Sequence, residues 1–181
     1  MGQVLKYASE ISRAMDYLAS HEKTVFLGQS VAYPGNVIYN SLEHLPPAKK
    51  LELPVFEETQ MGMSIGLAMQ GYIPISVFPR FNFLLLAVNQ LVNHLDKIQV
   101  LTKGQVKPKV IIKTMVGSAR PLHPGIQHCG DFTEAFRMLL DNVEVIKLEE
   151  PEQIFPAYKK ALERQDGQST LLVEMGDLYN H

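Results

Sequence analysis

The sequence predicts an α/β fold, a doubly wound, mainly parallel sheet with helices on both faces. Short apolar runs alternate along the chain with longer stretches of helical period. Runs such as Val25-Phe26-Leu27, Val110-Ile111-Ile112 and Leu171-Leu172-Val173 are continuous rather than alternating, as expected of strands covered on both faces. A chain of 181 residues, 46% of them hydrophobic, has enough apolar material for one core, so residues 1–181 are expected to form a single domain.

The elements follow in order. Val4, Tyr7, Ala8, Ile11, Ala14, Met15 and Leu18 recur at three- and four-residue steps, which predicts an amphipathic helix over residues 4–18. Residues 24–27 read as a short strand ending at Gly28. Pro34, Gly35, Asn36, Pro46 and Pro47 make residues 30–50 mostly loop, with room for one helical turn. A second strand is expected at 51–56, followed by a helix that opens on Glu57 and Glu58 and stops at Gly71. Residues 73–78 predict a strand. Residues 83–101 predict a long helix with Leu84, Val88, Leu91, Val92 and Leu95 on one face. A strand at 109–115 leads into a loop rich in Gly, Pro and His, residues 117–130. A helix over 131–140, a strand over 143–148, a helix over 151–164 with Pro151 at its first position, and a strand over 171–175 complete the chain.

Composition narrows the function classes. A formal net charge of −2 with mixed signs argues against a dedicated nucleic-acid or polyanion binder. The lone cysteine, Cys129, leaves no intramolecular disulfide and no cysteine-built zinc site. The longest apolar run, residues 83–88, is far short of the roughly 20 residues that span a bilayer. Polar residues recur from Gln3 onward, unlike a secretory leader. The expectation is a soluble cytoplasmic protein. No metal-ligating set is identified.

Sheets of this kind bind ligands beyond the C-terminal ends of their strands. The loops at Gly28, at 56–58, at 78–83 and at 115–130 are therefore the places to search. Glu57 and Glu58 stand at a strand-to-helix turn, where acidic residues also satisfy free amides and the helix dipole. Gly62, Gly66 and Gly71 thin one face of that helix, for a ligand or for close helix packing. Phe78, Phe81 and Phe83 make an aromatic cluster, which core packing explains as readily as a cofactor platform. His123 and His128 lie in a loop of the kind that carries binding residues. Lys103, Lys107, Lys109 and Lys113 read as a solvated basic edge.

The run from Leu53 through Pro54-Val55-Phe56-Glu57-Glu58 to Gly62, Gly66 and Gly71, and on to Ile75, resembles the pyrimidine-binding domain of the transketolase family. Within it the chain is most similar to the beta subunits of pyruvate and branched-chain 2-oxo acid dehydrogenases. The match continues through Phe78-Pro79-Arg80-Phe81-Asn82-Phe83 and Val88-Asn89-Gln90-Leu91-Val92-Asn93, and reappears at Gly125-Ile126-Gln127-His128. It covers roughly residues 24–148.

The resemblance implies thiamine diphosphate chemistry. Glu57, favoured over Glu58 by its spacing to Gly62 and Gly66, matches the glutamate that hydrogen-bonds ring nitrogen N1′ of the aminopyrimidine. That contact supports removal of the C2 proton of the thiazolium, and the resulting ylid attacks a carbonyl. Phe83 matches the residue that stacks on the pyrimidine, with Phe81 in reserve. Val55 and Pro79 match neighbouring pocket contacts, and His128 matches a loop histidine that handles protons of substrate or intermediate.

Departures from the family pattern carry further expectations. The Gly-Asp-Gly…Asn segment that binds magnesium and diphosphate is not supplied by Gly130-Asp131, Asp166-Gly167 or Gly176-Asp177. A partner alpha-type subunit is therefore expected to hold Mg2+ and the diphosphate, in a heterotetramer of two such pairs. The family's additional C-terminal domain is also not found before His181, and Gln29-Ser30 replaces a usual acidic pair. The implied enzyme acts on a 2-oxo acid or ketose by decarboxylation or by acyl or ketol transfer. A degenerate binding or regulatory module, and an unrelated α/β enzyme, are the competing readings.

Overall fold

The computed structural model describes residues 6–120 and 123–180; Val4, and part of the loop before His128, lie outside the described residues. Six strands form one sheet: β1 (Thr24–Gly28), β2 (Lys50–Glu52), β3 (Ile73–Val77), β4 (Ile111–Val116), β5 (Val143–Leu148) and β6 (Ser169–Met175). Their order is β2-β1-β3-β4-β6-β5, and every neighbouring pair is parallel. The chain leaves β1 toward β2 on one side and resumes at β3 on the other. Connections that diverge in this way open a crevice at the C-terminal ends of β1 and β3.

Among the described residues, seven α-helical segments accompany the sheet: α1 (Tyr7–Ala19), α2 (Val37–Asn40), α3 (Glu57–Met69), α4 (Phe81–Leu84), α5 (Asp96–Leu101), α6 (Thr133–Leu139) and α7 (Pro151–Glu163). Tyr7, Ile11 and Met15 of α1 and Ile154 and Tyr158 of α7 cover one face, against Phe26, Ile75, Ile111 and Leu172. Met61 of α3, Phe81, Leu91 and Phe136 cover the other, against Phe78, Ile112 and Val173. Adjacent residues such as Ile111 and Ile112 thus enter different layers. This is why the central strands are continuously apolar, and the doubly wound parallel fold expected from the sequence is the fold observed.

Gly28 ends β1 at φ +146°, and a Cβ there would lie 2.2 Å from the Val77 carbonyl oxygen. Only glycine allows β1 and β3 to approach so closely at the crevice.

Two elements differ from expectation. The strand expected at 51–56 ends at Glu52. There the Leu53 amide still donates to the Gly28 carbonyl at 2.8 Å, whereas Pro54 has no amide to extend the ladder. The Glu52 carboxylate turns back and accepts the amides of Ser30, Val31 and Ala32 at 2.7, 2.8 and 2.8 Å. These bonds shape the loop after β1, whose Ser30 has φ 60°. Glu52→Ala is expected to cost about 1–3 kcal/mol by removing a charged acceptor shared by three amides. Urea unfolding checks this, and an unchanged midpoint would mean that the carboxylate contributes nothing to stability.

The long helix expected at 83–101 is instead divided into α4, a 3-10 turn at Leu85–Ala87, a π-helical segment at Gln90–Leu95, and α5. The buried positions explain the division. Phe81, Leu84 and Ala87 are three apart, whereas Ala87, Leu91 and Leu95 are four apart. Tightening the first part and loosening the second keeps all five side chains on one line over the sheet.

Lys113 corrects the reading of a solvated basic edge. It is fully buried in β4, on the same face as Ile111 and Met115, because strand alternation directs it beneath α1 and α7. Its Nζ lies 2.6 and 2.5 Å from the two carboxylate oxygens of Glu174, which is buried on β6. Tyr158 donates to Glu174 at 2.5 Å, Tyr179 also donates to it, and Lys113 reaches the Tyr179 hydroxyl at 3.1 Å. Tyr7 spans the same layer, donating to the Leu148 carbonyl and accepting from the Met175 amide, each at 2.8 Å.

Candidate functional site

Glu57 and Glu58 are adjacent in sequence and opposite in environment. Glu57 is the first residue of α3 and only 5% exposed, whereas Glu58 faces solvent. The Glu57 Oε1 accepts a hydrogen bond of 3.2 Å from Gln29 Nε2, which reaches across from the loop after β1. A pocket of about 240 Å³ borders the carboxylate and is lined by Val55, Phe56, Glu57, Glu58 and Leu86. Val55 is 70% exposed at its rim. A neighbouring pocket of about 280 Å³, lined by Leu53, Pro54, Phe56, Thr59, Gln60 and Met63, has no titratable side chain. Gly62 and Gly66 lie on the exposed face of α3 with open space where a Cβ would be, so packing within this chain does not require them.

The segment after β3 divides its aromatic residues between core and site. Phe81 is fully buried, edge-on to Phe132 and against Phe136. It is a core residue, and this corrects its place as reserve stacking ring. Pro79 is buried at the strand end. Phe83 is half-buried and meets the His128 ring edge-on, with centroids 5.7 Å apart and planes at 81°. His128 ends a 3-10 turn at Ile126–His128, is itself half-buried, and has a buried Nδ1 without a hydrogen-bond partner among the described residues. His123 is exposed and bonds only locally, its Nδ1 accepting the Gly125 amide at 3.0 Å.

The structure therefore brings Phe83 to His128, and Glu57 to Val55 and to Leu86, three residues beyond Phe83. All stand on connections that leave the C-terminal ends of β2, β3 and β4, of which β3 and β4 are neighbours and β2 is separated from β3 by β1.

Sequence reasoning did not single out Gln29 as a partner of Glu57, nor Arg80 and Asn82 as contacts of the histidine loop. Arg80 Nη1 donates to the Gly117 and His128 carbonyls at 2.6 and 3.1 Å, and Asn82 Oδ1 accepts the Gly130 amide at 3.1 Å. A polar pair inside an otherwise apolar Phe-Pro-Arg-Phe-Asn-Phe segment is the signal that could have found them.

The three Gly-Asp or Asp-Gly pairs are engaged elsewhere. Asp131 caps Thr133 and pairs with Lys147, and Asp177 accepts the Ala119 and Arg120 amides at 2.8 and 3.1 Å. Asp166 pairs with Arg164, whose guanidinium holds the carboxyl down to about 2. Among the described residues no group of three or more His, Cys, Asp or Glu side chains is placed to hold a metal ion. No helix among them is long and apolar enough to cross a membrane.

Comparison with known families gives a match of residues 5–180 to the transketolase pyrimidine-binding domain. The chain belongs to that family. This domain is 28% identical over 152 residues to the 3-methyl-2-oxobutanoate dehydrogenase subunit beta of Mycobacterium tuberculosis, covering 80% of this chain and 42% of that protein. It is 28% identical over 123 residues to the mitochondrial pyruvate dehydrogenase E1 subunit beta of Pisum sativum, covering 66% of this chain and 34% of that protein. The Rickettsia conorii counterpart is 30% identical over 118 residues, 64% of this chain and 36% of its own length. The pyrimidine-binding domain thus spans less than half the length of these relatives. Among solved structures, a chain described as a split gene transketolase, inactive beta4 tetramer, superposes with a TM-score of 0.71 at 17% identity. That match covers 96% of this chain and 52% of the other, and establishes the shared fold.

Whether the residues suit the aminopyrimidine of thiamine diphosphate is tested by Glu57 itself. A carboxylate buried at the edge of a pocket, with one oxygen oriented by an amide donor, is an acceptor suited to a ring N–H. The residues fit the pyrimidine. The described residues provide no matching cage for a magnesium diphosphate.

Proposed function

We propose that this chain is the pyrimidine-binding subunit of a two-subunit thiamine diphosphate enzyme acting on a 2-oxo acid or a ketose. The observation that carries the proposal is the burial of Glu57, but not Glu58, at the start of α3 beside an open pocket. The names of the relatives favour a 2-oxo acid, since all three are beta subunits of 2-oxo acid dehydrogenases. The split transketolase title leaves room for a ketose.

Thiamine diphosphate supplies the nucleophilic carbon for attack on a carbonyl. In this proposal Glu57 accepts the hydrogen bond from the pyrimidine ring nitrogen, and Gln29 keeps its carboxylate oriented. Phe83 offers a ring to stack on the pyrimidine, Val55 lines the pocket, and Pro79, buried at the end of β3, is a further cofactor contact in this reading. His128, on the loop beside Phe83, moves a proton at the substrate. A partner subunit with the Gly-Asp-Gly…Asn motif holds Mg2+ and the diphosphate, and two such pairs form a heterotetramer.

The test uses the chain as bait in a lysate of its source with thiamine diphosphate and magnesium present, followed by calorimetry with the recovered partner. The expected result is a partner with that motif, and cofactor binding at least about 100-fold tighter for the pair than for either chain. A reconstituted pair without cofactor affinity would overturn the proposal in favour of a non-catalytic binding module. Recovery of no such partner, together with no cofactor binding by the chain alone, would withdraw the enzyme reading.

A further inference from the structure

The loop that carries His128 leaves β4 at Gly117 and returns to the fold at Gly130. A loop of this length is ordinarily held by many weak contacts, and its tip residues are poorly fixed. Here three residues of one short segment, Arg80, Asn82 and Phe83, between them contact both the loop's start and its return. Arg80 Nη1 donates both to the Gly117 carbonyl, where the loop starts, and to the His128 carbonyl, near its end, at 2.6 and 3.1 Å. One guanidinium nitrogen therefore closes the loop. Two residues on, Asn82 Oδ1 takes the Gly130 amide at 3.1 Å, and one residue further the Phe83 ring meets the His128 imidazole.

The far side of the loop start is fixed separately. Asp177 Oδ1 accepts the Ala119 and Arg120 amides, and a Cβ at Gly176 would lie 2.7 Å from the Ser118 nitrogen. The backbone at 117–120 is thus held between the C-terminal turn and Arg80. At the return, Arg80 and Asn82 supply the side-chain hydrogen bonds to the 128–130 backbone among the described residues, beside a local bond from the His128 amide to the Gly125 carbonyl and the packing of Phe132 on Phe81.

We infer that Arg80 is a positioning residue, which closes the loop from Gly117 to His128 and sets the His128 imidazole against the Phe83 ring. The inference rests on the proposed role of His128 for its catalytic meaning, although the clamp itself can be measured without it. Arg80 and Phe83 belong to one short segment, so the residue offered to the pyrimidine and the residue offered to the substrate are fixed by a common element. Lysine at position 80 would present a tetrahedral ammonium on a flexible stem in place of a planar fork.

The experiment compares wild type, Arg80→Lys, Arg80→Gln and Arg80→Ala as full-length chains with labelled histidine and phenylalanine. The readout is the His128 ring resonance and its nuclear Overhauser contacts to Phe83. The expected result is a sharp His128 signal with Phe83 contacts in wild type, and a broadened signal without them in Arg80→Ala and Arg80→Gln. Arg80→Lys should be intermediate. Should Arg80→Ala lose the dispersed amide spectrum of a folded chain, Arg80→Gln, which keeps much of the length and a donor, supplies the comparison.

In the enzyme reconstituted with its partner, Arg80→Lys should lower kcat by about 10- to 100-fold, as a misplacement of catalytic groups by about 1 Å does. Cofactor affinity should stay within about 2-fold, because Glu57 and Phe83 are untouched. An unchanged His128 signal and unchanged Phe83 contacts in folded Arg80→Gln would overturn the clamp. Loss of the contacts with full kcat would keep the clamp and overturn the role of His128, so the two failures are told apart.

Discussion

Glu57→Gln in the reconstituted pair is expected to lower kcat by about 10²- to 10⁴-fold, the range associated with a lost acid–base group. The substitution keeps the side chain's shape and its position at the start of α3 beside the pocket. It removes the negative charge that matches a protonated pyrimidine nitrogen, and it presents an amide that can turn its own N–H toward that nitrogen. Gln29 Nε2 would then face either an oxygen or a second donor, so the existing 3.2 Å contact no longer selects one orientation. Folding should survive, since Glu57 makes no ion pair among the described residues and its one recorded side-chain partner is neutral. Glu58→Gln is the control, because Glu58 borders the same pocket but is exposed. Steady-state kinetics on both variants settle the matter, with urea unfolding of each to exclude a stability effect. Equal losses in the two variants would place the chemistry elsewhere.

Removal of the buried cation is expected to give the largest change in stability. Lys113→Met leaves the Glu174 carboxylate and its two tyrosine donors inside the protein without their counter-charge, at a cost of about 3–5 kcal/mol. Lys113→Met combined with Glu174→Leu should recover part of that loss, because no charge is then buried. Recovery should be incomplete, since the Tyr158 and Tyr179 hydroxyls lose their acceptor.

The same cluster sets the alkaline limit of the fold. Burial first, and the Glu174 charge second, push the hydroxyls of Tyr7, Tyr158 and Tyr179 above the ordinary tyrosine range. A group whose folded pKa is raised contributes stability that is complete below its unfolded value, near 10 for tyrosine, and is lost as the pH rises beyond it. Lys113 acts with the opposite sign. Burial lowers its pKa, against the pull of Glu174, so between that lowered value and about 10.5 the unfolded chain binds the extra proton and stability rises with pH. Above about 10.5 the cluster's tyrosines act without Lys113, and they should lower stability by as much as about 4 kcal/mol per pH unit for three protons. Urea midpoints taken from about pH 8 to about pH 11 measure this slope, and Tyr158→Phe should reduce it by one proton. A flat profile would mean that these hydroxyls ionise without unfolding the chain.

The parallel sheet and its two helical layers were legible from residue order. Continuous apolar strands and three- to four-residue helical steps are local patterns, and each constrains the backbone near itself. The choice of Glu57 over Glu58 came from its spacing to Gly62 and Gly66 in a recognised run, and their different burial accords with it. Phe81 and Phe83 show where such reading ends. They are two residues apart and chemically identical, and only packing against Phe132 and Phe136, some fifty residues on, draws one into the core. The helix over 83–101 failed for a related reason, since the line along which Phe81, Ala87, Leu91 and Leu95 meet the sheet bends the helix into 3-10 and π segments.

Lys113 is the strongest case. A lysine at the end of a Lys-rich stretch reads as solvated unless its partner is known, and Glu174 lies 61 positions away on a strand that only the sheet brings alongside. Gln29 meets Glu57 from 28 positions away, and Arg80 meets His128 from 48. Local composition determined most of which segments became strands and helices. Contacts between distant segments decided which charges were buried, which ring stayed open to the site and what holds the histidine, because these depend on strand order and packing depth.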